Sequence, residues 1–183
     1  MQKAFRVWRE SLRRLRGRIL TLVLRSSGAH VGRGLRVESG VHFRWPASSL
    51  VRLGDDVYFG LGVVIDVQPG AHLSIGDRAK VMHYCVIAAA ERIDVGADFQ
   101  MAEHSSLRDS EHALSLGEPM SAQSRSAPTS VGNDVWVGRG VAVLMGSTLG
   151  SGCVVAANSV VRGQVPDFAI VAGAPATVKR FRS

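Results

Sequence analysis

VGNDVWVGRGVAVLMGSTLGSGCV, residues 131–154, sets Val131, Val137, Val143 and Leu149 six residues apart. A free-standing helix repeats near 3.6 residues and a half-buried strand near two, so a six-residue beat punctuated by glycine belongs to neither alone. Val155 and Val161 continue the beat. The fifth place of each hexad is small or modest in size: Val135, Val141, Ser147, Cys153, Ser159 and Val165. Successive side chains of an extended chain face opposite ways, so places one and five share a face and are expected to point inward. Gly132, Gly138 and Gly150 hold the second place, where a corner is expected to require positive φ. Three such sides joined at corners make one triangular turn, stacked on the next at about 4.8 Å.

Working outward, shorter runs carry the same beat: Leu53, Phe59 and Ile65; then Ile75, Val81, Ile87 and Ile93; then Val95, Met101 and Leu107. It breaks at ALSLGEPMSAQSRSAPT, residues 113–129, a polar, Pro-containing stretch. A loop of that length inside a compact solenoid is commonly functional. The hexad read just before it is LRDSEH, ending at His112.

Composition agrees with a thin aliphatic core. Of 183 residues, 46% are hydrophobic, 6% aromatic and 20% charged, which is globular rather than disordered. Two cysteines, Cys85 and Cys153, form no CxxC or Cys/His cluster, so neither a disulfide framework nor a zinc site is expected, and a reducing cytoplasmic setting is favoured. Both fall at fifth places, which favours buried packing over a covalent acyl-enzyme.

The net charge of +7 is uneven. Residues 1–36 hold ten Lys/Arg against Glu10 alone, and the rest of the chain holds twelve against fourteen acids. In this basic arm, Phe5, Trp8, Leu12, Leu15, Ile19 and Leu22 recur at spacings of three and four, which predicts an amphipathic helix over residues 3–25. The apolar run ILTLVL is too short to span a bilayer, and flanking arginines do not suit a secretory signal. The seam has three readings: packing on the body or a neighbouring subunit, docking on an anionic membrane surface, or nucleic-acid binding. The last is disfavoured because the body offers no basic surface to extend it. The chain divides into an arm at 1–30 and a solenoid at 31–183, with a protruding loop at 113–129 and a tail at 166–183.

The hexads, NDVWVG at 133–138 and the closing VPDFAIVAGAPATVKRF at 165–181 resemble the bacterial hexapeptide-repeat acyltransferases, whose relatives include maltose, galactoside, serine, xenobiotic and polysaccharide O-acetyltransferases. The similarity covers most of residues 50–181. It implies an all-β left-handed parallel β-helix, a homotrimer, and acetyl-CoA as co-substrate with no metal. By resemblance, a histidine ahead of the loop in a D-x-x-H setting is the general base, matching His112 with Asp109. The chemistry agrees: a sugar hydroxyl is a poor nucleophile at neutral pH, and imidazole is the natural proton acceptor there.

The resemblance also carries over Trp136, Arg139, Ala157 and Arg180 to the donor. Trp136 would cover the pantetheine arm, backbone around Arg139 and Ala157 would bond its amides, and Arg180 would meet a CoA phosphate. Arg139 stands where relatives usually have a small residue, and Lys179, Arg180 and Arg182 also read simply as a solvated basic cluster. Asp66, in VVIDVQPG, matches an acceptor-binding aspartate, and it equally suits a corner cap. The expected reaction is direct O-acylation of a sugar hydroxyl, for surface polysaccharide or glycolipid assembly. The acceptor would be a small or lipid-linked saccharide, and the arm would touch the inner face of the membrane. The alternatives are a γ-type carbonic anhydrase, whose close histidine pair is lacking here, and a non-catalytic trimeric scaffold.

Overall fold

The computed structural model describes residues 2–114, 116–117, 119–121 and 123–183, apart from the Lys3 side chain. Helix α1 (Gln2–Ser26) leads into short strands that wind as a left-handed parallel β-helix of six turns and a partial seventh. Three parallel sheets form the sides of the prism. Side A runs from His30–Val31 to Gln164–Val165, side B from Arg36–Val37 to Ala169–Gly173, and side C from His42–Phe43 to Val160–Val161. The last strand, Ala176–Phe181, returns antiparallel along Ala169–Gly173 and closes side B.

Stacking explains the beat. Leu107 pairs with Val143 and Val143 with Val161, so each aliphatic residue lies over its counterpart in the adjoining coil. The first and fifth hexad places of residues 131–165 are buried as expected, including Ser147 and Ser159, whose hydroxyls bond Val161 O and Gly173 N. Phe59, Phe99 and Met101 are the bulkier fillers of an otherwise Val, Ile and Leu core.

The second-place glycines serve a different purpose from the one expected. Gly132, Gly138 and Gly150 lie outside the left-handed region; a Cβ on Gly138 would instead sit 2.7 Å from the backbone N of Ala157 in the next coil. Close stacking of backbones, not φ, excludes a side chain there. Positive φ falls at the fourth place, at Asp134, Gly140, Gly146, Gly152 and Asn158, where residues that tolerate that region turn each corner.

Helix α1 also departs from one of its readings. Its body-facing side is Arg13, Gly17, Leu20 and Leu24, with Gly17 pressed against the Leu35 carbonyl. Arg9 and Arg13 clamp the buried Glu38 carboxylate at 2.9 and 2.6 Å. Burial alone would raise the Glu38 carboxyl, but the bonds from Arg13 and Arg9 overcome this and hold it below its ordinary value. The apolar seam does not pack on the body: Phe5, Trp8, Leu15, Ile19 and Leu22 are exposed on the opposite side. Seven residues separate Gly17 from Leu24, close to two helical turns, so small and apolar residues outside the seam were enough to seat the helix.

Candidate active site

The chain leaves the prism at the corner between sides C and A. The strand Ser106–Arg108 ends at Asp109, and Ser110–His112 then pairs antiparallel with Ser124–Ser126, His112 opposite Ser124. LRDSEH is therefore not a full hexad: only Leu107 and Arg108 belong to the wall. Thr129 is already back in side A, so the excursion begins and ends earlier than 113–129. Ser115, Glu118 and Ala122, within the expected loop, lie outside the described residues.

Asp109 roots this hairpin. It is fully buried, and its two carboxylate oxygens accept the backbone N–H groups of Ala90, Glu91 and Arg92 at 2.7, 2.8 and 2.7 Å. Three charge-assisted bonds tie the exit point to the corner of the coil below. Among the described residues, none of its bonds goes to His112; its carboxylate is occupied by the corner instead of the ring. Above the root, Glu111 pairs with Arg125 across the hairpin and with Arg162 at 3.2 Å, two coils further on. The bond from Arg125, with the charge of Arg162, holds the Glu111 carboxyl below its usual range. Ser126 donates to Glu91 at 2.7 Å. His112, the strand neighbour of Glu111, is exposed on this pinned ribbon.

Asp66 lies on side C in register with Ala88, which pairs with Arg108. Two strand spacings, roughly 10 Å, thus separate its row from the hairpin root. Its carboxylate accepts Trp45 Nε1 at 3.0 Å and Arg44 Nη1 at 3.1 Å. Arg44 and Trp45 were not singled out from the sequence. Their signal was available in the 22-residue offset that also stacks Arg33 on Asp55.

The donor candidates gather on side B and its edge with C. Trp136 is in register with Val154, Val154 with Ile170 and Ile170 with Arg180, so one outward row carries an exposed indole and a guanidinium three strand spacings apart, roughly 14 Å. Arg139 and Ala157 sit at successive B–C corners, both exposed, and the Arg139 carbonyl is taken by Asn158 N at 2.8 Å. Side B is the side opposite the C–A corner of a triangle. The structure therefore brings Trp136 and Arg180 together, and Asp66 near the hairpin root, but keeps the donor row and His112 on different sides of one chain.

Both thiols are sealed in the core, and burial pushes Cys85 and Cys153 up to about 11. At neutral pH they are neutral and out of reach of an acyl donor.

The described residues thus form a stacked hexapeptide solenoid with an exposed imidazole on a hairpin at one corner. Residues 128–163 match the family model described as bacterial transferase hexapeptide (six repeats). Escherichia coli WbbJ, to which O-acetyl transfer in lipopolysaccharide biosynthesis is ascribed, is 31% identical over 137 residues, 70% of either chain. A Mycobacterium tuberculosis protein ascribed acetyltransferase activity is 31% identical over 154 residues, 83% of this chain; the chain spans about half of that relative, 49%. In three dimensions, a Bacillus cereus N-acyltransferase, AntD, solved with dTDP and coenzyme A, superposes with a TM-score of 0.77 over 87% of each chain at 15% identity, a likeness of fold alone. The chain belongs to the bacterial hexapeptide-repeat transferases and is an acyltransferase.

Proposed function

We propose that the protein transfers an acyl group, acetyl in the first instance, from acyl-CoA to a hydroxyl of a saccharide destined for surface polysaccharide or glycolipid, with His112 as general base. The observation that carries this reading is the exposed imidazole of His112 on a ribbon fixed to the wall through Asp109, Glu111 and Ser126. A base fixed in this way needs little reorganisation to meet a hydroxyl. Its ring takes the hydroxyl proton as oxygen attacks the thioester carbonyl, backbone N–H groups steady the oxyanion, and the proton passes to the departing CoA sulfur. Buried, protonated cysteines favour this direct route over an acyl-enzyme.

The separation of the donor row from His112 supports assembly of each centre between two copies, most simply in a cyclic homotrimer. Trp136 would lie along the pantetheine arm, with Arg180 toward the phosphates and Arg139 and Ala157 at the groove edge. Asp66 would bond acceptor hydroxyls, with Arg44 and Trp45 beside it. A lipid-linked acceptor at the cytoplasmic face of the membrane is part of this reading; coenzyme A and dTDP are bound in the Bacillus cereus neighbour, and acetyl coenzyme A in a Vibrio cholerae hexapeptide-repeat acetyltransferase of similar fold.

The test is thiol release from acetyl-CoA across a panel of nucleotide-linked and lipid-linked sugars. His112→Ala should lower kcat by about 10²–10⁴ while calorimetric CoA binding persists. A fully active variant removes His112 from the mechanism.

A further inference from the structure

The arm holds a feature that acyl transfer does not use. Helix α1 is seated by Gly17 and Leu24 and by the Arg9 and Arg13 clamp on Glu38, so its rotation is set by the body. That rotation turns Phe5, Trp8, Leu15, Ile19 and Leu22 away from the prism, each more than half exposed. At 100° per residue, Arg14, Arg18 and Arg25 border this stripe on one edge and Arg16 on the other. The helix's acid, Glu10, is drawn to Arg13 and Arg14.

Along the first of those edges, α1 and the opening coil enclose a cleft of about 660 Å³. Arg14, Arg18, Arg25, Arg33 and Arg36 line it against Asp56 alone among acids, and Leu22 stands at its rim. Arg36 Nη1 lies 3.9 Å from Glu10, and the buried Nε of the same side chain has no hydrogen-bond partner among the described residues. An apolar stripe edged by arginines, opening beside a cleft lined by five arginines against one acid, has the chemistry of a surface that takes phosphate and acyl chain together.

We propose that α1 lies in the plane of an anionic phospholipid bilayer, its stripe sunk at the level where headgroups meet acyl chains, with lipid phosphate entering the arginine-lined cleft. Charge complementarity selects this occupant over a second copy. Residues 37–183 carry twelve basic and fourteen acidic side chains, so another body offers little counter-charge to the arm. The proposal does not depend on the acyl-transfer reading, since its test needs no substrate.

The test is flotation of the full chain with vesicles of phosphatidylglycerol and phosphatidylcholine, against phosphatidylcholine alone. The chain should float with the anionic vesicles only. Trp8→Glu with Ile19→Glu should lower binding at least tenfold with an unchanged circular dichroism melt, since both positions are exposed. Arg14→Ala with Arg18→Ala should lower it by roughly 25-fold, about fivefold for each arginine. Absence of flotation overturns the proposal, as does undiminished flotation of the Trp8/Ile19 variant. If the wild-type chain does not float and that variant changes the oligomeric state in sedimentation, a second copy covers the stripe instead. Calorimetric binding of inorganic phosphate without flotation would reduce the cleft to a free-anion site and equally contradict the proposal.

Discussion

The wall at residues 131–165 and the hairpin at 110–126 are neighbours in sequence and are held by opposite means. In the wall, every coil repeats the same backbone bonds, and buried aliphatic residues stack from rung to rung. The hairpin, by contrast, depends on individual side chains: one buried carboxylate at its root, one ion-paired glutamate above it and one serine. A repetitive wall tolerates little local change, yet no single side chain holds it in place. The pinned ribbon holds the exposed His112 through three named contacts, and not through a periodic pattern.

Substitutions can break this contrast from either direction. Gly138→Val should have the largest effect on stability, about 3 kcal/mol in urea unfolding, because its Cβ would meet the Ala157 backbone 2.7 Å away. A melt indistinguishable from wild type would refute the close-stacking role of the second-place glycines. Asp109→Ala should cost somewhat less, about 2 kcal/mol, by stranding the amides of Ala90, Glu91 and Arg92. Its sharper signature is hydrogen exchange at those amides, together with a fall in kcat at unchanged acetyl-CoA KM; faster exchange elsewhere but not there would contradict the anchor.

Glu111→Gln should leave the melt close to that of wild type, as expected of a solvent-screened ion pair, and lower kcat severalfold. The same linkage has a defined sign. The folded-state pKa of Glu111 is depressed, so its contribution is present above the ordinary carboxylate value and is lost as pH falls through the lowered one. Acid should therefore bring the wild-type rate toward that of Glu111→Gln, and the variant should lack that acid limb. Parallel pH profiles would show that the Arg125 and Arg162 contacts do not position the ribbon.

The same contrast governs what the sequence disclosed. Periodicity gave the prism, its inward places and the buried thiols, because each follows from alternation and stacking repeated over many coils. It misassigned the glycines, since a one-dimensional pattern marks where a side chain is forbidden without saying whether φ or a neighbouring backbone forbids it. LRDSEH passed as a hexad because Leu107 keeps the beat while Asp109, buried for its charge, turns the chain out of the wall. The helix seam was correctly seen as one face, but the seat was supplied by Gly17 and by Arg13 reaching Glu38, a contact 25 residues away that no local pattern announces. Motif resemblance singled out Trp136 and Arg180, and only strand register put them on one row. Trp45 and Arg44 escaped notice because their partner, Asp66, lies a whole coil onward.

The central claim is that His112 of one copy works on a donor held along side B of another. Complementation in mixed oligomers tests it most directly: His112→Ala is co-refolded in equal amounts with a Trp136→Ala/Arg180→Ala chain, each inactive alone. Centres shared between copies in a cyclic assembly should recover about a quarter of wild-type thiol release, one half for each intact contribution under random mixing. No recovery, with mixed oligomers verified by mass, would mean that each chain builds its centre alone and would contradict the account.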